Sequence, residues 1–283
     1  MKNSAILLIS CPDSKGEVAT IADFIYRHNG NILHADEHGD EESGLFLMRV
    51  EFDPKEFDID LADFGQHFSP IAETFHMKWR LAQSSHRQRM IIFVSKYDHC
   101  LVDLLYRQKS GELACEIPLI ISNHADNQAI ADFYQIPYAI VPITKDNKLA
   151  AEDRIHTLLH EHKPDFMVLA RYMQILSNDF VNRYPQRIIN IHHSFLPAFV
   201  GARPYHQAFE RGVKLIGATS HYVTEVLDDG PIIEQDVVRV SHRDTVDDLI
   251  RKGRDLEKVV LSRAVRWHVE NRILLYGNKT VVF

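Results

Sequence analysis

An amide, two imidazoles and a hydroxyl are crowded into the stretch Asn190-Ile191-His192-His193-Ser194-Phe195-Leu196-Pro197. Asn190 and His192 are two apart, so on an extended chain they share a face. Farther on, Ser220 and His221 are followed by Leu227-Asp228-Asp229-Gly230-Pro231, a turn-forming run with two carboxylates. An amide that polarises a carbonyl, an imidazole that moves a proton and a carboxylate that holds the imidazole form a set suited to acyl chemistry. Each is common alone. A histidine at a strand end is usually a satisfied structural group, and Asp228-Asp229 before Gly-Pro reads as turn chemistry. What makes them a candidate site is that both segments fall at expected strand ends and can converge.

Two rival chemistries use the same residues. His192, His193, His206 and His221 with Asp228 could ligate a metal, but no HExxH or cysteine pair accompanies them, and His192 and His193 should point apart, so no metal is expected. Ser194 could act as a nucleophile with a histidine base, but no Gly-x-Ser-x-Gly elbow surrounds it.

The elements that position these groups follow from pattern. Arg187 to Ile191 reads as a short buried strand, which Leu196-Pro197 keeps from continuing past its loop. Leu215 to Val223 is a second strand, Ile232 to Val240 a third. Upstream, strands at 89–95, 116–122, 138–141 and 166–170 alternate with helices at 99–110, 127–134, 149–162 and 177–183. This is the pattern of a doubly wound, mainly parallel α/β sheet, with ligands at the carboxyl ends of its strands. A long helix, 245–270, follows, and Thr245-Val246-Asp247-Asp248 gives it a capping-box start with Asp where Glu or Gln is usual.

The first part of the chain is a separate unit, 1–83, joined by a polar linker at 84–88 to a unit of 89–283. Strands at 5–10, 31–38, 45–52 and 75–82 with helices at 18–28 and 58–69 give the order βαββαβ, a ferredoxin-like split βαβ unit. Gly30 after the first helix suits a left-handed C-cap, and 39–44 is a hairpin loop.

Composition bounds the function. The 283 residues carry a net charge of -7, which argues against a general nucleic-acid binder. Cys11, Cys100 and Cys115 are too scattered for a disulfide framework or a cysteine zinc site. No apolar run approaches the ~20 residues of a membrane span, and no signal-peptide pattern opens the chain, so the cytoplasm is the expected location.

These residues also carry resemblances. Asn190-Ile191-His192-His193-Ser194-Phe195-Leu196-Pro197, then Gly201, His221-Tyr222-Val223-Thr224 and Leu227-Asp228-Asp229-Gly230-Pro231 resemble the formyltransferase family that uses 10-formyltetrahydrofolate. The resemblance implies Asn190, His192 and Asp228 as the catalytic group, with Asp229 only a neighbour. Leu169 to Leu176 looks like that family's pterin loop. It implies substrate contacts at Arg171, Tyr172, Met173, Gln174, Ile175 and Leu176, with Ser194, Leu196, Pro197, His221 and Gly230 around them. The front unit resembles the ACT domain through Cys11-Pro12-Asp13-Ser14-Lys15-Gly16 and Gly30-Asn31-Ile32. That implies a small amino-acid effector near Asp13, Gly16, Gly30, Asn31 and Ile32, and at least a homodimer; a purely structural unit is the competing reading.

One departure is informative. Glycinamide ribonucleotide formyltransferases carry a glycine-rich phosphate loop where this chain has Ser95-Lys96-Tyr97-Asp98-His99-Cys100, without glycine. That run, behind an ACT-like unit, resembles the formyltetrahydrofolate deformylases. The implied reaction is hydrolysis of 10-formyltetrahydrofolate to tetrahydrofolate and formate, balancing folate pools for purine synthesis. Folate is then the substrate, no cofactor is needed, and His99 and Cys100 form the corner that leaves water as acceptor. Cys100, near a helix start, could have its thiol pKa lowered, though a small buried residue is the simpler reading. The competing functions are formyl transfer to an amine acceptor and a non-catalytic folate or amino-acid sensor. Arg171 and Arg203 are candidates for the folate glutamate tail.

Overall fold

The computed structural model describes residues 3–198 and 203–283, so Gly201 lies outside the described residues. The chain forms two compact units, one of Met1–Arg87 with Glu270–Phe283 and one of Gln88–Val269.

The first unit has the expected βαββαβ order: β1 (Ala5–Pro12), α1 (Glu17–Arg27), β2 (Asn31–Asp40), β3 (Leu45–Asp53), α2 (Phe64–Thr74) and β4 (Lys78–Gln83). The sheet order is β2-β3-β1-β4. Alternation along β1 sends Leu7, Ile9 and Cys11 into a core shared with Phe24, Phe52, Phe64 and Phe68. The second helix differs from the expected 58–69. Spacing of four places Phe64, Phe68 and Ala72 on one buried face, and that burial carries the helix through Pro70, which sequence rules would have made a stop.

The C-terminal segment is a correction. The sequence places 270–283 with the second unit, but it groups with the first. It forms a hairpin of β12 (Ile273–Tyr276) and β13 (Lys279–Val282), turned at Gly277 with φ 54°. The Asn271 carbonyl accepts from Arg49 Nε at 3.1 Å and its side chain from Arg80 at 2.6 Å. Ile6 and Leu8, on the face of β1 opposite Leu7, are buried as well, and the hairpin packs near β1.

The second unit holds β5 (Gln88–Val94), α3 (His99–Ser110), β6 (Cys115–Ser122), α4 (Gln128–Phe133), β7 (Tyr138–Ile140), α5 (Lys148–His162), β8 (Phe166–Leu169), α6 (Asn178–Arg183) and β9 (Ile188–His192). After these come α7 (Pro204–Glu210), β10 (Leu215–Tyr222), β11 (Ile232–Arg239) and α8 (Val246–Val269). The sheet order is β11-β10-β9-β8-β5-β6-β7. The pairings from β9 through β7 are parallel and those of β10 antiparallel, the mainly parallel sheet expected. Helix α7 is new; Pro204 at its first turn was its sequence signal. The box at Thr245 forms as expected, with Thr245 N donating to Asp248 Oδ2 at 2.9 Å and Asp248 N to Thr245 Oγ1 at 3.3 Å. Among the described residues, no helix is long and apolar enough to cross a membrane.

Candidate active site

The site is built where β9 meets β10. The antiparallel register sets Asn190 opposite His221 and His192 opposite Thr219, so all four side chains share one face. A bulge between Ser220 and His221 shifts the register against β11 at this point. Beyond β10 the chain turns through Asp228, whose φ of 56° is left-handed, a conformation Asp tolerates better than most residues. Gly230 cannot be replaced without collision, because a Cβ there would run into the Tyr222 carbonyl. These constraints bring Asp228 back over the strand end.

The expected trio converges. Asp228 Oδ2 lies 3.2 Å from His192 Nδ1, and Asp228 Oδ1 lies 3.7 Å from His221 Nε2. Burial alone would raise the Asp228 pKa, but hydrogen bonds and charge from His192 and His221 outweigh it and hold the carboxyl well below the usual carboxylate range. His221 Nδ1 donates to the Tyr222 carbonyl at 2.9 Å, which leaves Nε2 as the atom that faces both Asp228 and the Asn190 amide, the latter at 3.2 Å. His221 is 2 % exposed and lies between Asn190 and Asp228.

His192 carries the informative atom. Its Nδ1 faces Asp228, while its Nε2 is buried with no partner among the described residues. Buried polar atoms are rarely left so, and one that is calls for an explanation.

The following loop is pinned by Thr219, a residue the sequence reading missed. Its Oγ1 donates to the Ser194 carbonyl at 2.9 Å and accepts from Leu196 N at 3.0 Å. Ser194 is buried and its hydroxyl donates to the Ala198 carbonyl at 2.8 Å, a loop-closing role. Leu196 is buried and Pro197 exposed. An apolar cavity of about 400 Å³ lies on this loop, lined by residues that include His193, Phe195, Tyr205 and Ile216. Asn190, His192 and Asp228 do not line it.

The 171–176 loop mixes roles. Met173 and Ile175 are exposed, Gln174 and Leu176 half-buried. Tyr172 instead enters the core against Phe93, and burial pushes its hydroxyl pKa far up. Arg171 is 8 % exposed, left-handed at φ 62°, and directed at Glu257 at 3.4 Å. Its side chain is thus not a free cation for a glutamate tail. Arg203 is exposed and caps α7.

At the expected acceptor corner, His99 Nε2 lies 2.7 Å from Glu257 Oε2. Cys100 is buried, and burial together with Glu257 pushes its thiol pKa well up, so the lowering considered from its place at a helix start is corrected. Among the described residues, the groups close enough to share a metal are His99, Cys100 and Glu257, not the histidines around Asp228. Glu257 itself was missed. Its signal was a carboxylate on the apolar stripe of α8, in step with Leu249, Gly253, Leu261 and Val265.

In the first unit, Gly16 caps α1 with φ 105°, and a Cβ at Gly30 would lie 2.6 Å from Ile25 Cγ2. Gly16 thus has a backbone reason to be there and Gly30 a packing one; the left-handed turn after α1 expected at Gly30 falls instead on Asn29, with φ 57°. Asp13 and Asn31 are exposed and Ile32 half-buried.

Residues 88–265 match the formyl transferase family model. Over 280 residues, 99% of this chain and 98% of the relative, the chain is 59% identical to a formyltetrahydrofolate deformylase of Synechocystis sp.. The crystal structure of a formyltetrahydrofolate deformylase from Pseudomonas syringae pv. tomato superposes with a TM-score of 0.98 at 50% identity, covering 100% of this chain and 95% of that one. A glycinamide ribonucleotide transformylase from Symbiobacterium toebii gives 0.67 at 29% identity over 72% of this chain and 98% of that one. Likeness of that extent over both units has one meaning, and this chain belongs to the formyltetrahydrofolate deformylase family within the formyl transferases.

Proposed function

We propose that the chain hydrolyses 10-formyltetrahydrofolate to tetrahydrofolate and formate, with Asn190, His192 and Asp228 as its catalytic group. The observation that carries this is the unpartnered His192 Nε2 beside an ionised Asp228. Asp228 fixes His192 with Nδ1–H toward the carboxylate, so Nε2 is left to accept a proton. A water near Nε2 attacks the formyl carbon, and its proton passes to His192. The new imidazolium is stabilised by Asp228. Charge on the former carbonyl oxygen is met by the Asn190 amide, whose orientation His221 sets. Collapse breaks the carbon–nitrogen bond, and His192 returns the proton to the departing folate nitrogen. Formic acid leaves and ionises.

This sequence requires no cofactor. The exposed residues of the 171–176 loop suit the folate ring, and the cytoplasm suits a folate substrate. A small amino-acid effector and a homo-oligomer formed through the first unit remain part of the reading, supported by its βαββαβ order. The deciding experiment mixes protein and 10-formyltetrahydrofolate without any amine. Equimolar formate and tetrahydrofolate are expected. Substrate that binds but stays intact would mean that the chain awaits another acceptor.

A further inference from the structure

The strand order reverses between β5 and β8, which run parallel. From β5 the chain runs outward through β6 and β7, then returns to place β8 on the other side of β5. Such a switch point is where doubly wound sheets take their ligands, with anions at the N-terminus of the adjoining helix. Here that helix is α3, beginning at His99. The crevice is not left to a ligand. A carboxylate of the protein's own, Glu257, stands in it.

The carboxylate is closely built in. Glu257 is 1 % exposed. Its Oε2 lies 2.7 Å from His99 Nε2. Its Oε1 accepts from the Tyr205 hydroxyl at 2.6 Å and faces Arg171 at 3.4 Å. One turn earlier, Gly253 makes room for the Tyr205 ring, which any Cβ there would strike. Arg171 is anchored where the two strands part, its carbonyl accepting from Ser95 N at 3.3 Å. Tyr97 lies over its guanidinium, 5.1 Å from ring centroid to Cζ. Burial alone would raise the Glu257 pKa, but His99 and Arg171 outweigh it, so the group stays ionised. A buried charge is costly unless fully paired, and a role in folding alone could be met by apolar packing.

We infer that Glu257 determines acceptor specificity: its carboxylate holds the anion position at the switch point, so no anionic amine can seat there and water is the acceptor that reaches the formyl carbon. The inference rests on the hydrolytic reading above. It also gives a physical basis for the absence of glycine at 95–100, since the first side chain of α3, His99, is paired with Glu257 rather than leaving room for a phosphate.

The test uses inorganic phosphate as probe, at constant ionic strength, on the full-length protein and on Glu257→Ala. The readouts are the thermal midpoint without folate and the phosphate concentration that halves formate release. In the variant, phosphate should raise the midpoint and inhibit at concentrations about tenfold lower than in the parent, the scale of one removed like charge at short range. With 2-aminoethyl phosphate present, the variant should also yield formylated amine, and the parent none. Should Glu257→Ala not fold, Glu257→Gln keeps the volume and removes the charge, and must show the same direction of phosphate sensitivity. Equal phosphate effects on parent and folded variant would overturn the inference. Absence of formate release from the parent would instead strike the hydrolytic reading, while the thermal midpoints would still decide the role of Glu257.

Discussion

Two histidine–carboxylate pairs stand at the carboxyl edge of the same sheet, and they are finished differently. In His99–Glu257 the carboxylate is spent on three donors, from His99, Tyr205 and Arg171. In His192–Asp228 the carboxylate is shared between two imidazoles, and the buried Nε2 of His192 has no partner among the described residues. The first pair is closed and the second open. The Glu257 carboxylate, with both oxygens engaged, holds the loops around it in place, although Arg171 Nε in that cluster is itself buried without a partner among the described residues; the unpartnered imidazole nitrogen of the second pair can instead take a proton from something that arrives later. The difference lies in the imidazole nitrogen left over, not in residue type, since both pairs are an imidazole and an acid.

The sharpest way to break the comparison is to spoil the open pair. Asp228→Asn keeps the shape and removes the charge that stabilises a protonated His192. The turnover number should fall ~1000-fold or more, within the range ascribed to positioned proton transfer, while circular dichroism stays unchanged. Full turnover by a folded Asp228→Asn protein would remove Asp228 from the mechanism. Asn190→Ala takes away the amide while leaving the His192–Asp228 contact. It should cost ~100- to 1000-fold in turnover with the Michaelis constant much less affected, because an oxyanion donor acts mainly in the transition state. An Asn190→Ala protein altered only in its Michaelis constant would mark the amide as a binding group.

The same contrast accounts for what could be read from the sequence. The open pair was legible because its members lie at strand ends, where spacing of two fixes a face and Gly230-Pro231 announces the turn that returns Asp228. The mainly parallel sheet was legible from alternation alone. Glu257 was not, because it lies mid-helix, far in sequence from His99 and Arg171, and only the fold brings the three together. Thr219 was missed for a related reason: a threonine in a strand is ordinary, and its pinning of Ser194 and Leu196 depends on the register of β10 against β9. The C-terminal hairpin went to the wrong unit because pairing within 273–282 is local, whereas the Arg49 and Arg80 contacts to Asn271 are long-range. Helix α2 was misplaced because burial of Phe68 and Ala72 outweighs the penalty of Pro70.

His193 tests the boundary between the pairs. Its ring lies 5.3 Å from that of His192 and 6.2 Å from that of Tyr205. Burial, then the positive charge of Arg171, bring its pKa from 6.5 down to about 4. The unfolded chain therefore binds more protons than the native one between these values, and stability drops as pH falls through that window. Above about 6.5 the penalty is absent. His193→Gln should flatten the pH dependence of the unfolding free energy between these limits by on the order of 1–3 kcal/mol, reduced by whatever solvent reaches the ring. Parallel curves for parent and variant in urea titrations would show that His193 is not the group that responds.

The smallest effect is expected at Ser194, and it bears on the identity of the nucleophile. Its hydroxyl is 2.8 Å from the Ala198 carbonyl, and its own carbonyl is held by Thr219. Both contacts belong to the loop, and neither leaves the oxygen directed at His192. Removing the hydroxyl costs one neutral hydrogen bond, ~1 kcal/mol, and the exposed Ala198 can recover its share from water. Ser194→Ala should thus melt slightly earlier and turn over within about tenfold of the parent, since no transition-state group is lost. A loss as deep as that of Asp228→Asn, with the fold intact, would mean that Ser194 attacks the formyl carbon itself. The open pair would then serve a serine rather than a water.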